Sequence, residues 1–151
     1  MNKKQTEMNR RKYYILSLLV LLVLGMQNVH AQQPVSIHSH NDYYQLVPFY
    51  QAYAQRVTSI EVDVFHQEGQ LLVGHDLWEL SPERTLEALY VEPIVKVFTE
   101  NEGSAWPDSK ARLTLMIDLK TSYEPALDSI VALLSKYPQV FDSSINPNAA
   151  Q

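Results

Sequence analysis

Residues 58–65 read Thr58-Ser59-Ile60-Glu61-Val62-Asp63-Val64-Phe65, and their alternation decides the fold. Side chains point to opposite faces along an extended chain, so Ile60, Val62 and Val64 share one face and Glu61 and Asp63 the other. β-Branched residues inside and acids outside make a half-buried strand. Two neighbouring carboxylates repel each other unless a cation lies between them or one keeps its proton. The polar face is therefore either solvated or a site.

Working outward, strands and helices alternate. Val35 to His40 (VSIHSH) reads as a strand, and Pro48 opens a short helix to about Gln55. After the central strand, Glu68-Gly69-Gln70 is a turn and Leu71 to His75 (LLVGH) a short strand. Ser81-Pro82 opens a helix towards Tyr90, and Pro93 starts another with Ile94, Val97 and Phe98 at helical spacing. Arg112 to Lys120 (RLTLMIDLK) is the clearest strand of the chain. Pro125 then begins a helix whose Leu127, Ile130, Val131 and Leu134 form one apolar stripe, ended by Pro138. This order implies an α/β fold with parallel strands. A full (β/α)8 TIM barrel takes roughly 250 residues, so the expectation is a partial barrel, about its first half.

The first 31 residues read differently. Lys3, Lys4, Arg10, Arg11 and Lys12 precede the apolar run Ile15–Met26 and the small-residue pattern Val29-His30-Ala31. That is a secretory signal peptide cut after Ala31, and the run is shorter than the roughly 20 residues a membrane span needs. Periplasmic or secreted localisation follows, with no stable membrane anchor after cleavage. Removing residues 1–31 from the 151-residue chain leaves seven basic against sixteen acidic residues. Such a surface repels nucleic acid and anionic membranes. The chain has no cysteine, so an exported form relies on a packed core or a partner in place of disulfides.

Three acids and two histidines carry the chemistry. Asp118 ends an apolar strand on the face opposite Leu115 and Ile117, as Glu61 and Asp63 do on theirs. Convergence of Glu61, Asp63 and Asp118 would suit one hard cation, Ca²⁺ or Mg²⁺. His38 and His40 share a face of the first strand, and His75 ends the third; imidazoles titrate near neutrality and can move protons. His66 is read as solvent-facing. Tyr43, Tyr44, Phe49, Tyr50 and Tyr53 are read as packing under the first helix, Trp78 as a pocket rim, and Trp106 as cover for the loop before the fourth strand.

The ordered set His38-Ser39-His40-Asn41, Ile60-Glu61-Val62-Asp63-Val64, Gly74-His75-Asp76 and Ile117-Asp118-Leu119-Lys120 resembles the glycerophosphodiester phosphodiesterase and phosphatidylinositol-phospholipase-C-like superfamily. Its secreted bacterial variant that opens H-S-H-N-D-Y is the nearest in pattern, and the venom sphingomyelinases D are also similar. The resemblance covers roughly residues 35–125. It implies a metal-dependent phosphoric diester hydrolase acting on a glycerophosphodiester or phospholipid-like substrate. On that match His38 and His75 are catalytic and Glu61, Asp63 and Asp118 hold the metal. Asn41 and Lys120 bind substrate, His40 is a neighbour, and Asp76 orients His75 or caps the next helix. The H-R-G and P-E-N-T patterns of typical glycerophosphodiester phosphodiesterases are absent from the sequence.

Two rivals remain from the residues. His38-x-His40 is similar to the H-x-H of amidohydrolase-like and polymerase-histidinol-phosphatase-like barrels, which take zinc or manganese. Alternatively the chain is an inactive barrel fragment serving as a binding module. A half barrel has open sheet edges, which invite self-association.

Overall fold

The computed structural model describes residues 12–14, 37–107, 109 and 111–151. The chain divides into two units, 1–35 and 36–151. The signal-peptide reading lies outside the described residues apart from the helical Lys12–Tyr14. No helix among the described residues is long and apolar enough to cross a membrane.

The unit 36–151 is built on a four-stranded sheet. β1 (His38–Ser39), β2 (Ser59–Gln67), β3 (Gln70–Val73) and β4 (Thr114–Leu119) are its strands. β2 is central. On one side it pairs in parallel with β4 from Ser59↔Thr114 to Val64↔Leu119. Its other side is shared between β1, parallel at His38↔Ser59, and β3, antiparallel from Val64↔Val73 to Gln67↔Gln70. The sheet is thus mixed, where strands alternating with helices implied a parallel one. The reason is the connection: two residues cannot cross over to a parallel neighbour. Glu68 and Gly69 take φ of 48° and 79°, the left-handed pair that a tight hairpin needs. Among the described residues β1 and β4 each pair with β2 alone, so the sheet is open. The outer edge of β4 is met at its start by Gln151, which exchanges backbone hydrogen bonds with Leu113 and Leu115.

The core lies on the Ile60-Val62-Val64 face, where all three side chains are fully buried. Each such burial stabilises by roughly 1.5–3 kcal/mol. Against it pack Leu86, Tyr90, Val91, Ile94, Val97 and Phe98. Two predicted helices here are one continuous run, a π turn Glu87–Val91 passing into α2 (Glu92–Glu100). Pro93 has no N–H for the preceding turn, and the backbone widens there. The helix α1 spans only Tyr50–Ala54, shorter than expected from Pro48, because Phe49 has φ of 63° and gives its N–H to Asp42.

α3 (Tyr123–Leu134) leans on β2 and β3 and is followed by the short α4 (Pro138–Phe141). It buries Ala126, Ile130 and Leu133 and leaves Leu127 and Val131 exposed. The stripe read from sequence is turned because contact with the hairpin, not hydrophobicity alone, selects the inner face. His66 is likewise not solvent-facing: it is half-buried, its N–H donating to Thr121 and its Nε2 meeting Ser129 Oγ at 3.0 Å. Of the early aromatics, Tyr43 and Phe49 are buried. Tyr53 stacks on the buried Trp106, centroids 5.5 Å apart. Tyr44, Tyr50 and Trp78 are exposed.

Candidate active site

The parallel ladder ends at Val64↔Leu119, and the polar residues gather at that end. β2 runs past it only to form the hairpin, so Glu61 and Asp63 stand inside a strand yet at the rim of the parallel sheet. The register sets Asp63 directly opposite Asp118. One carboxylate oxygen from each of Glu61, Asp63 and Asp118 lies within 4.8 Å of the others. Among the described residues this is the group of metal-ligand type that forms, and neither His38 nor His40 joins it. The H-x-H reading therefore gains no cluster here.

Asp63 is the hub. It is 1 % exposed. Its Oδ2 accepts from Tyr43 Oη at 2.8 Å and His75 Nδ1 at 2.8 Å, with Lys120 Nζ at 3.2 Å. Burial works to raise its pKa, but the donors His75, Tyr43 and Lys120 outweigh it and hold the carboxyl below the usual carboxylate range. Burial and the bond to Asp63 push the Tyr43 phenol well up. Oδ1 is buried and has no hydrogen-bond partner, an expensive state unless something completes it. Lys120 also reaches Asp118 Oδ2 at 2.6 Å, and that bond keeps its ammonium above the usual lysine value despite partial desolvation.

The histidines are held in two different ways. A carboxylate only accepts, so His75 donates Nδ1–H to Asp63, and no partner among the described residues holds its Nε2. In the neutral ring that nitrogen carries the lone pair. His75 is also anchored through its backbone, whose N–H donates to Glu79 Oε2 at 2.7 Å. That N–H, with Tyr44, keeps the Glu79 carboxyl below its ordinary pKa. By contrast His38 has both nitrogens engaged: Nε2–H donates to Glu61 Oε2 at 2.8 Å, and Nδ1 meets Ser59 Oγ at 2.8 Å. His40 Nε2 is 3.6 Å from Glu61 Oε1. Asn41 sits half-buried in a left-handed turn, φ 48°.

The structure thus brings together His38, Glu61, Asp63, His75, Asp118 and Lys120. It corrects Asp76: Asp63 orients His75, and Asp76 precedes the turn Leu77–Glu79 with no side-chain capping bond. The sequence reading missed Ser59, Tyr43, Glu79 and Asp42. Ser59 was legible, since Ser59, Glu61 and Asp63 share one face by period. Asp42 is fully buried and accepts from Ser39 Oγ, Phe49 N and Tyr90 Oη. It locks the turn that delivers Tyr43 beneath Asp63.

Three carboxylates against one ammonium leave two negative charges, and an orphaned carboxylate oxygen completes an all-oxygen donor set. Such a set suits a hard divalent cation. In open α/β sheets a site lies beyond the carboxyl ends of the strands, and Asp63, His75, Asp118 and Lys120 stand there. The chain belongs to the AIM6-like phosphodiesterase domain family, whose model matches residues 27–140. It is 37% identical over 119 residues to the Altered inheritance of mitochondria protein 6 homolog of Arthroderma benhamiae, covering 67% of this chain and 38% of that protein. It is 35% identical over 115 residues to Altered inheritance of mitochondria protein 6 of Eremothecium gossypii, covering 65% of this chain and 30% of that protein. The Kluyveromyces lactis protein of that name is 30% identical over 131 residues, 70% of this chain and 31% of its own length. The chain spans about a third of these relatives. No solved structure matches. The phosphodiesterase class expected from the motifs is that of the family; the narrower glycerophosphodiester variant is not what the match identifies.

Proposed function

We propose that the chain is a metal-dependent phosphoric diester hydrolase, acting on a glycerophosphodiester or phospholipid-like diester. The observation that carries this reading is the convergence of Glu61, Asp63 and Asp118 with His75 oriented by Asp63. Glu61, Asp63 and Asp118 would hold Ca²⁺ or Mg²⁺, which when bound supplies positive charge for the phosphate oxygens. His75 is the base: its Nδ1–H on Asp63 leaves Nε2 to take the proton of the attacking hydroxyl. Asp63 fixes that tautomer and stabilises the imidazolium that results. His38 is the acid in its doubly protonated form, with Nδ1–H held on Ser59 Oγ. Its Nε2 proton passes to the leaving alkoxide once a substrate oxygen replaces Glu61 as its partner, leaving a neutral ring. Each role is worth about 10²–10⁴ in rate. Asn41 and Lys120 provide donors for the remaining phosphate oxygens.

The open sheet is, in this proposal, the first part of a (β/α)8 barrel, and its two open edges are where further strands or a second copy would pair. Export through residues 1–31 to the periplasm or cell exterior belongs to the same proposal. The test is hydrolysis of bis-p-nitrophenyl phosphate and glycerophosphocholine by the full chain with Ca²⁺, Mg²⁺ or EDTA. Turnover that needs the ion and vanishes in Asp63→Asn supports the proposal. Turnover unchanged in EDTA or in Asp63→Asn would remove the metal from it.

A further inference from the structure

The acid cluster already contains a cation of its own. Asp63 and Asp118 are direct partners across β2 and β4, and like charges so placed repel. Lys120 Nζ bridges them, 2.6 Å from Asp118 Oδ2 and 3.2 Å from Asp63 Oδ2. The bridge is incomplete. Asp63 Oδ2 is shared with Tyr43 and His75, and Asp63 Oδ1 has no partner. Glu61 is turned to His38 and His40. The lysine side chain is 25 % exposed and Asp118 48 %, so a flexible stem lies beside a path to solvent. A monovalent ammonium thus occupies a set of oxygens with room and charge for a divalent ion.

We infer that Lys120 is a displaceable counter-ion, which holds Asp63 and Asp118 together without a divalent ion, competes with that ion for both, and is freed from them when it enters. The inference rests on the divalent-site reading above. Its physical ground is Coulombic: an ammonium within a few ångströms of a divalent ion repels it strongly at the effective dielectric of a protein surface. The carboxylates would then bind the ion more weakly in the native chain than they would alone. The lysine, once freed, becomes a cation beside the same site.

Isothermal titration of Mg²⁺ and Ca²⁺ into the full chain tests this, comparing wild type, Lys120→Met, Lys120→Arg and Asp63→Asn. Thermal melts in EDTA accompany it. The Met variant should bind the ion about tenfold more tightly or better and melt lower in EDTA, having lost the bridge. The Arg variant, which keeps the charge, should bind no more tightly than wild type, and Asp63→Asn should bind no ion. Equal or weaker binding by the Met variant, with Asp63→Asn still silent, would overturn the counter-ion role and leave the metal site standing. No binding by either wild type or the Met variant would overturn both. Tighter binding in the Arg variant as well would show that charge is not what competes.

Discussion

The two faces of β2 are made by alternate residues of one strand and are physically opposite. Ile60, Val62 and Val64 are fully buried against helices and close-packed. Ser59, Glu61 and Asp63 bind His38, His75, Tyr43 and Lys120 through polar contacts. The apolar face has many interchangeable contacts, each small, and stability accumulates with area. The polar face has few contacts, each fixed in direction and charge. Its cost is an orphaned oxygen on Asp63. Stability lives on one face and chemistry on the other, and substitutions should separate the two.

The largest effect should come from the polar face. His75→Ala should lower kcat/KM on bis-p-nitrophenyl phosphate about 10²–10⁴-fold with little change in melting temperature, since the ring is half exposed. A large fall in stability would instead mean that the two faces are not separable. Next is Ile60→Ala on the apolar face, which should cost about 2–5 kcal/mol of unfolding free energy in urea melts. The fraction still folded should keep its kcat. Smaller again is Tyr43→Phe, which keeps the packing and removes one donor to a charged carboxylate. It should cost about 1.5–3 kcal/mol and reduce turnover as well, because the lost hydroxyl lies under the hub of the site.

The smallest effect concerns pH. Glu79 has a folded pKa below its unfolded value, first through the His75 backbone N–H and then Tyr44. Its ionised form therefore adds stability above the unfolded pKa, and that contribution is lost as pH falls through the folded one. Glu79→Gln should lower the melting temperature slightly at neutral pH. The difference from wild type should vanish as pH falls below about 4.3, so that the acid limb is flatter. An unaltered acid limb would show that Glu79 does not anchor His75.

Much of this was legible in the residues. The E-x-D alternation of β2 and the isolated acid of β4 placed three carboxylates on polar faces, and the structure brings them within 4.8 Å. The antiparallel hairpin is legible in the short turn at Glu68-Gly69, which is too brief for a parallel crossover. Other contacts carried no local pattern. Tyr43 reads as one aromatic among several, and only the turn locked by buried Asp42 sends its hydroxyl to Asp63. His38 reads as a proton-moving histidine of the first strand, but only the fold shows that Ser59 and Glu61 take both its nitrogens. The exposed Leu127 and Val131 look like core residues, and only the lean of α3 on the hairpin leaves them outside.

The sequence by itself determined which side chains share a face of each strand, because covalent geometry sets a period of two. From that came the polar face of acids, the dry face of β-branched residues and the α/β class. Tertiary structure decided which residue lies across from which. Asp63 opposite Asp118, Lys120 between them and Tyr43 beneath depend on register and loop closure, which arise from packing over the whole unit and not from any short stretch of chain.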